Sequence, residues 1–518
     1  MEPINSSTFP KILVIDFGSQ TTHLIARRLK DLGVSSKIVT PDKAVQTVEK
    51  EKPLGIIFSG GPADVFAKNS PKINKKIFSF DIPIMGICYG FQLIAYMLGG
   101  KVTSGRKEYG PAKISLASTT HSLTKGLDKI STVWMSHGNE IVSLPTDFTV
   151  LGSTNTVKYT LTSHKQKKLY GLLFHPEVQH TEMGMKILKN FISLCKIKPQ
   201  KYSLDIPAMV KKIKDTVGSH HVIAAVSGGV DSTVAGVLVA KAIGKNFTPI
   251  FVDNGLMRDG AIHTLESVLT PYGIKPVIVE AEKEMLKRLK GVTDSEEKRK
   301  IIGKLYIDVF EREMKKLSRK YKNITFLMQG TIYSDVIESK GTKHAAKIKS
   351  HHNVGGLPPS MKLQLLEPLR ELYKDEVRQL GTLLGLADTV VWKQVFPGPG
   401  FAVRIRGEVT PRRLAVAKQA DGILLDELEK AGVLRDIYMS FPVMTGAYST
   451  AVKGDGRAME EVIALRIIES LDIMTTTWSR LPYDLLQKIS SRIVNQVPGI
   501  SRVVYDITTK PPATMEWE

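Results

Sequence analysis

The chain has 518 residues, enough for two to four domains, and its 42% hydrophobic and 24% charged residues are typical of a soluble globular protein. It has no apolar run of about 18 residues and no apolar core in residues 1–10, so we expect neither a membrane span nor a secretory signal. The net charge of +21 divides into +10 for residues 1–195 and +11 for the rest, so nucleic acid is not predicted as a specific partner. Two cysteines exclude a disulfide scaffold and predict a cytoplasmic protein.

Strand and helix patterns alternate over residues 10–197, which predicts an α/β domain with a parallel sheet. Strands are predicted at residues 11–16, 54–58 and 169–174. Between the second and third of these lies a nucleophile-elbow pattern, a sharp strand-to-helix turn that presents one side chain above the sheet: Gly86-Ile87-Cys88-Tyr89-Gly90. Cys88 is therefore a candidate nucleophile.

A histidine and a glutamate stand at the end of the third strand, in Phe174-His175-Pro176-Glu177. His175 can act as general base and general acid, and Glu177 can orient its imidazole ring. The histidine and glutamate alone would be a weak indication, but their combination with the elbow is specific. We therefore predict Cys88, His175 and Glu177 as the catalytic residues of the first domain.

These motifs resemble the class I glutamine amidotransferase domain, which has a flavodoxin-like fold. The resemblance implies that Cys88 attacks the side-chain amide of glutamine, forms a thioester and releases ammonia. It also implies an oxyanion hole made by the backbone N–H groups of Gly60 and Tyr89. Three further residues would hold the glutamine: Gln92, Ser136 and His137. The family usually has aspartate where this chain has Asn139.

A second α/β pattern extends over residues 203–395 and predicts a doubly wound parallel sheet. A strand at residues 221–226 leads into Ser227-Gly228-Gly229-Val230-Asp231-Ser232, and a helix is predicted from Thr233. Backbone N–H groups and the helix dipole favour an anion at such a junction. The hexapeptide resembles the pyrophosphate loop of the ATP pyrophosphatase family, which implies that ATP is cleaved there to AMP and pyrophosphate.

Three more strands of this domain are predicted at residues 247–252, 277–280 and 325–328. Ligands of such sheets bind at the carboxyl ends of the strands, so Asp253 and Gly330 are expected near adenosine. The ATP-binding set is then completed by the loop and the start of its helix: Ser227, Gly228, Gly229, Val230, Asp231, Ser232 and Thr233. Asp231 is also a candidate ligand of Mg²⁺, a cofactor that prefers oxygen ligands.

A charged segment after Gly330 suggests a lid over the nucleotide. Over almost its whole length the chain resembles the glutamine-hydrolysing GMP synthetase family. That resemblance implies an XMP contact from Arg299 and four lid residues: Asp335, Glu338, Lys340 and Lys349. Glu338 would be a second ligand of Mg²⁺. Histidines in the same segment could indicate zinc, but flanking lysines favour polar contacts to nucleotide: His344, His351 and His352.

The segment Phe396-Pro397-Gly398-Pro399-Gly400 predicts a boundary, followed by a small α+β domain at residues 396–518. Helices are predicted at residues 414–428 and 459–471, and a strand at residues 503–507. The resemblance implies that this domain forms a homodimer and completes the XMP site with three residues of the carboxyl-terminal tail, residues 510–518: Lys510, Met515 and Glu516. This chain departs from the family at two places: Lys393-Gln394-Val395 and Met439.

The resemblance implies amination of XMP to GMP with ATP and glutamine as the other substrates. A tRNA-modifying ATP pyrophosphatase is the alternative, which the basic charge would suit. It is disfavoured because tRNA-thiolating members commonly use cysteines in this domain, and the chain has none after Cys195. A non-catalytic binding module is a third hypothesis, and the intact set of Cys88, His175 and Glu177 argues against it.

Overall fold

The computed structural model describes residues 11–200, 203–333, 335–336, 363–453, 456–470, 476–510 and 512–518. Its internal contacts divide the chain into two compact units, Met1–Leu204 and Asp205–Glu518. Among the described residues, no helix combines the length and the apolar character needed to cross a membrane.

The first unit is built on one mixed sheet. Its strands are β1 (Ile12–Ile15), β2 (Ser36–Val39), β3 (Gly55–Phe58), β4 (Ile84–Ile87), β5 (Lys101–Leu116), β6 (Ile130–Ser143), β7 (Phe148–Ser153), β8 (Leu161–His164) and β9 (Leu169–Leu172). Its helices are α1 (Thr22–Asp31), α2 (Pro41–Glu51), α3 (Tyr89–Met97) and α4 (Gly184–Leu194). The strand order is β2-β1-β3-β4-β9-β8-β7-β5-β6. The parallel part, β2-β1-β3-β4-β9, has the flavodoxin-like order, which confirms the predicted α/β fold.

Burial along these strands explains why the sequence forms this sheet. The parallel strands β1, β3, β4 and β9 are buried at every residue, as expected where both faces of a parallel sheet are covered. In contrast, β6 alternates between buried and more exposed residues over most of its length, because an antiparallel strand can leave one face in water. The catalytic residues predicted for this unit follow two of the buried parallel strands, β4 and β9.

The second unit begins with a parallel sheet. Its strands are β10 (His221–Ala225), β11 (Phe247–Asp253), β12 (Val277–Glu280), β13 (Ile324–Met328) and β14 (Gln364–Leu366). The helices around it are α5 (Ile206–Val217), α6 (Val230–Ile243), α7 (Ala261–Leu269), α8 (Glu282–Leu289), α9 (Ser295–Lys320), α10 (Lys374–Leu383) and α11 (Asp388–Val391). The order is β12-β11-β10-β13-β14 with every pair parallel, which confirms the doubly wound prediction. The order reverses between β10 and β13, which is where ligands bind in such sheets.

A third sheet lies near the carboxyl terminus. It contains β15 (Met439–Lys453), β16 (Gly456–Glu469), β17 (Thr477–Trp478) and β18 (Ile500–Tyr505), with helices α12 (Pro411–Lys430) and α13 (Tyr483–Gln496). The predicted α+β class is confirmed. The helix predicted at residues 459–471 is wrong, because β16 pairs with β15 on one edge and with β17 and β18 on the other. Covered on both faces, its apolar run lacks the alternation that would have indicated a strand.

One apolar core of the second unit combines residues from both sides of the Phe396–Gly400 segment. It includes Val252 and Leu305 from the first half, and Phe401, Leu424 and Ile489 from the second half. Helix α9 therefore packs in the same core as the elements that precede the carboxyl-terminal tail. The division of residues 203–518 at residue 396 stays a prediction.

Candidate functional site

Cys88 lies in a strained strand-to-helix turn between β4 and α3. Its φ of 48° is a positive value that residues other than glycine rarely adopt. A Cβ atom at Gly86 would lie 2.6 Å from the backbone nitrogen of Phe91, and one at Gly90 would lie 2.5 Å from the carbonyl oxygen of Phe58. Only glycine fits at both positions, so the sequence of the elbow is required by its geometry. The Cys88 thiol donates to the carbonyl oxygen of Ser136 over 3.2 Å.

His175 and Glu177 follow β9 and form a buried pair. The Nδ1 atom of His175 lies 2.7 Å from Oε1 of Glu177, whose side chain is fully buried. Burial by itself would lower the pKa of His175, but the charges of Glu177 and Cys88 and hydrogen bonds with them raise this pKa well above its ordinary value. The imidazolium form is therefore stabilised next to the thiol.

Two residues of α1 and the turn before it also hold Glu177, and the sequence analysis missed them. The Thr21 hydroxyl donates to Oε1 of Glu177 over 2.6 Å, and Nε of Arg28 donates to the main-chain oxygen of Glu177 over 3.0 Å. Both contacts join positions about 150 residues apart in the chain, with separations of 156 and 149. No local pattern in the sequence indicates them.

The residues predicted to bind glutamine surround the same turn. A Cβ atom at Gly60 would lie 3.0 Å from Cε1 of His175, and Tyr89 is the first residue of α3. The side chains of Gln92 and His137 both contact the carbonyl oxygen of Asn139, each over 3.0 Å. Together with the Ser136 carbonyl, these groups form one cluster around Cys88.

Asn139, where the family usually has aspartate, points its amide toward a carboxylate. Its Nδ2 atom donates to Oδ1 of Asp64 over 2.7 Å. An aspartate at this position would place two carboxylates at hydrogen-bond distance, which is unfavourable unless one of them is protonated. The presence of Asn139 in place of aspartate is therefore compatible with the neighbouring carboxylate of Asp64 in this chain.

In the second unit, the loop that begins at Ser227 lies at the reversal of strand order between β10 and β13. Gly228 has a φ of 72°, and the hydroxyls of Ser227 and Ser232 are 3.2 Å apart. Helix α6 begins at Val230, three residues earlier than predicted, so its first turn includes Asp231 and Ser232. A Cβ atom at Gly330 would lie 2.9 Å from the backbone nitrogen of Ser232. Gly330 therefore packs directly against this helix terminus, as its predicted place at the same rim requires.

Asp253 lies on the neighbouring strand of the same rim. It ends β11, and its Oδ1 atom accepts from the backbone nitrogen of Gly255 over 3.1 Å. Because β11 is parallel to β10 and adjacent to it, the ends of both strands lie at one edge of the sheet.

Two lysines that the sequence analysis did not assign to ATP contact the Ser227 loop. The Nζ atom of Lys374 lies 2.6 Å from Oδ2 of Asp231, and Nζ of Lys393 donates to the carbonyl oxygen of Gly228 over 3.3 Å. Burial lowers the pKa of Lys393, and Arg258 lowers it further. Lys374 begins α10, whereas Lys393 belongs to the departure from the family at residues 393–395. The loop is thus a helix terminus with cations beside it, an arrangement suited to phosphate.

The carboxyl-terminal tail contacts a fully buried arginine. Arg404 lies between the rings of Phe396 and Phe441, with its guanidinium 4.5 Å and 4.0 Å from their centroids. It donates to both carboxylate oxygens of Glu516, over 3.0 Å and 3.2 Å. Asp421 is a second acidic neighbour, 3.9 Å from the same guanidinium. Glu516 is therefore fixed in place from the core of the unit.

Helix α9 holds the last residue of the tail. Lys298 is fully buried, and its Nζ atom lies 2.7 Å from Oε2 of Glu518. Arg299 donates to the main-chain oxygen of Glu518 and pairs with Glu296 over 2.6 Å. The structure thus brings Arg299 and the tail together, although 219 residues separate the two contact positions.

The other predicted site residues of this unit have varied outcomes. Met515 packs against a small apolar cluster that includes Met439, and Lys510 pairs through its main chain with Thr476. Asp335 accepts from the backbone nitrogen of Ile332 over 3.0 Å. The remaining lid positions and the neighbouring histidines lie outside the described residues: Glu338, Lys340, Lys349, His344, His351 and His352.

Two family models match the chain. Residues 13–194 match glutamine amidotransferase class-I, and residues 426–517 match the GMP synthase C terminal domain. Relatives named GMP synthase (glutamine-hydrolyzing) match nearly the whole chain. The one from Aquifex aeolicus is 49% identical over 510 residues, covering 98% of this chain and 99% of its own. The one from Lactobacillus gasseri is 47% identical over 523 residues and covers 100% of both chains. The similarity therefore extends over both units.

Proposed function

The chain belongs to the family of glutamine-hydrolysing GMP synthases, and from this premise we propose that XMP is the nucleotide it aminates. It is an enzyme of GMP synthesis with glutamine and ATP as substrates. The observation that supports the XMP assignment is the contact of Arg299 with Glu518, because it brings Arg299 to the carboxyl-terminal tail, which carries the other residues assigned to XMP. The relatives favour this function over the tRNA-modifying alternative.

In the first unit, Cys88 is the proposed nucleophile for glutamine. Its thiolate attacks the amide carbon, and the backbone N–H groups of Gly60 and Tyr89 stabilise the negative oxygen that develops. The imidazolium of His175 then gives its proton to the leaving nitrogen, so that the C–N bond breaks and ammonia leaves a thioester on Cys88. Water, deprotonated by the neutral imidazole, cleaves the thioester to glutamate. Glu177 keeps the ring in the orientation that both steps need.

In the second unit, the Ser227 loop is the proposed site of the ATP phosphates. An oxygen of XMP attacks the α-phosphorus and displaces pyrophosphate, which leaves AMP attached to the acceptor; ammonia then displaces AMP. The loop, with Lys374 and Lys393 beside it, supplies the positive potential that stabilises the departing pyrophosphate. All bonds broken and formed lie in the substrates, so the contribution of the protein is binding, orientation and charge.

We propose that Mg²⁺ binds together with ATP. The Oδ1 atom of Asp231 is buried and has no hydrogen-bond partner among the described residues, so a hard oxygen ligand is available beside the phosphate loop. Asp231, with Glu338 as the second predicted ligand, would hold the ion, which would neutralise phosphate charge. Lys374 contacts Oδ2, the other oxygen of the Asp231 carboxylate.

For XMP we propose contacts from Arg299 and from three tail residues: Lys510, Met515 and Glu516. A nucleoside monophosphate needs cations for its phosphate and acceptors for its ribose or base. The bidentate contact with Arg404 supports a fixed position for the carboxylate of Glu516. Preorganisation of this kind reduces the entropy lost when the ligand binds.

We also propose a cytoplasmic homodimer that forms through the carboxyl-terminal sheet. Tyr448, Val452 and Met459 are 62%, 74% and 67% exposed. Met459 pairs with Thr450, which lies between the two exposed residues of β15, so all three side chains lie on one face. A group of exposed apolar side chains on one sheet face is typical of an interaction site. Light scattering tests it, because Val452→Asp should give monomers and the wild-type chain dimers.

The decisive test of the function is a single assay with XMP, ATP, Mg²⁺ and glutamine. AMP and GMP should form in equal amounts, and formation of both should require XMP. AMP formation that proceeds with other acceptors but not with XMP would contradict the proposal. Thiolation or other modification of tRNA by the purified chain would support the alternative instead.

A further inference from the structure

Thr21 occupies the position that normally caps a helix, but its side chain is used elsewhere. It is the residue before α1, and threonine there usually accepts a hydrogen bond from a backbone N–H group of the first turn. The Thr21 side chain makes no such contact. Its hydroxyl instead lies 2.6 Å from Oε1 of Glu177, the oxygen that also contacts His175. This hydroxyl is therefore directed at the catalytic pair.

The donor and acceptor of each hydrogen bond in this series follow from the chemistry of the carboxylate. A carboxylate only accepts hydrogen bonds, so Thr21 must donate its single hydroxyl proton to Glu177. The hydroxyl of Ser19, 2.9 Å from Thr21 Oγ1, must then donate to Thr21, while its own oxygen accepts from the Thr21 backbone nitrogen over 3.2 Å. A directed path runs from Ser19 through Thr21 to Glu177, which accepts from Nδ1 of His175 on the other side.

The other oxygen of Glu177 cannot fix the carboxylate. Its Oε2 atom is buried and has no hydrogen-bond partner among the described residues. Arg28 contacts the main chain of Glu177 and makes no hydrogen bond with its carboxylate. Among the described residues, Thr21 and His175 are thus the two groups that determine the orientation of the Glu177 carboxylate.

We propose that Thr21 is a positioning residue for glutamine hydrolysis. Its hydroxyl, oriented by Ser19, fixes the Glu177 carboxylate so that His175 presents its other nitrogen to Cys88. This inference rests on the proposed roles of Cys88, His175 and Glu177. The turn before α1 thus has a function in the reaction in addition to starting the helix.

The test compares Thr21→Val, which removes the hydroxyl at nearly constant shape, with Thr21→Ser, which retains it. Thr21→Val should lower the glutaminase kcat about ten- to hundredfold, as expected for one hydrogen bond to a charged group, with little change in the KM for glutamine. Thr21→Ser should restore kcat to within about threefold of the wild type. GMP formation from added ammonia should be unchanged in both variants.

Thr22→Val is the matched control. Thr22 is the next residue and is fully buried. Its hydroxyl lies 2.8 Å from Oδ1 of Asp16 and 3.1 Å from the main-chain oxygen of Ser19, and it contacts neither Glu177 nor the Ser19 hydroxyl. This variant should lose stability but keep its glutaminase kcat. A wild-type kcat in Thr21→Val, a failed rescue by serine, or an equal loss of kcat in Thr22→Val would overturn the proposal. Retention of glutamine-dependent activity in Cys88→Ala would instead overturn the assignment of the nucleophile.

Discussion

Replacement of Lys298 by methionine should release the end of the carboxyl-terminal tail. The buried Nζ atom donates to three acceptors: the carbonyl oxygens of Ala402 and Ile405, over 3.2 Å and 2.7 Å, and the carboxylate of Glu518. Methionine has nearly the same length and leaves all three without their donor. Removing one partner of a buried ion pair costs roughly 3–5 kcal/mol. Arg406 lies 3.8 Å from the other oxygen of Glu518, so the lower end of that range is expected.

Two measurements separate stability from function. Urea unfolding of the full chain can be followed by tryptophan fluorescence, because three of the four tryptophans lie in the second unit: Trp392, Trp478 and Trp517. The free energy of unfolding of this unit should fall by about 3 kcal/mol. The KM for XMP should rise about tenfold, the equivalent of 1.4 kcal/mol, because the tail that carries Glu516 is less firmly held. The KM for ATP and the glutaminase activity should change little.

Lys304→Met is the control on the same helix. Lys304 is 75% exposed and its ion pair with Asp308 spans 4.0 Å, so this change should cost less than about 0.5 kcal/mol. A destabilised Lys298→Met variant with an unchanged KM for XMP would show that the tail contact is not part of the acceptor site. An unchanged stability would refute the estimate for the buried pair itself.

Three further predictions concern the two reactions and the charge. Cys88→Ala should abolish GMP formation from glutamine but not from ammonia, measured at saturating XMP; equal loss of both would contradict separate sites. The glutaminase kcat should fall on the alkaline side, because the pKa of His175 is raised and its imidazolium is lost as pH rises through that value. Glu177→Gln should move this limb to lower pH, since the charge of Glu177 supports the imidazolium and Arg28 contacts only the main chain of this residue; an unmoved limb would exclude that role. RNA binding should be weak and lost as salt rises, and tight sequence-selective binding would revive the tRNA alternative.

The sequence predicted most of the fold because its strands and turns carry local signals. Most of the buried parallel strands are short apolar runs that end in turns containing glycine, and the parallel part of each of the first two sheets formed as expected around them. The error at β16 has a physical cause. Residues 463–468 are all buried, so both faces of the sheet are covered there and the apolar pattern lacks the period of two. Only the backbone pairing with the strands on either side identifies this segment as a strand.

The candidate sites divide in the same way. The elbow at Cys88 and the Ser227 loop could be found because the residues that shape each turn are adjacent in the chain. The contacts of Thr21 with Glu177 and of Lys298 with Glu518 join positions 156 and 220 residues apart, which no local pattern encodes. A signal did exist for Arg404, since a single arginine in the apolar run Phe401-Ala402-Val403-Arg404-Ile405 requires a buried partner.

Buried cations explain why the tail is held in place. Arg404, Lys298 and Arg466 are all fully buried, and each contacts a different part of the tail. Arg466 donates to the carbonyl oxygen of Thr514 in the tail. It also donates to the carbonyl oxygen of Thr508 and lies 3.1 Å from Asp506, both of which precede the tail. A charge taken out of water is stable only when its partners remain in place, so loss of the tail would remove partners from three buried cations at once. Docking of the tail is therefore a requirement of the core of the second unit, and that requirement fixes the position of Glu516 before any nucleotide binds.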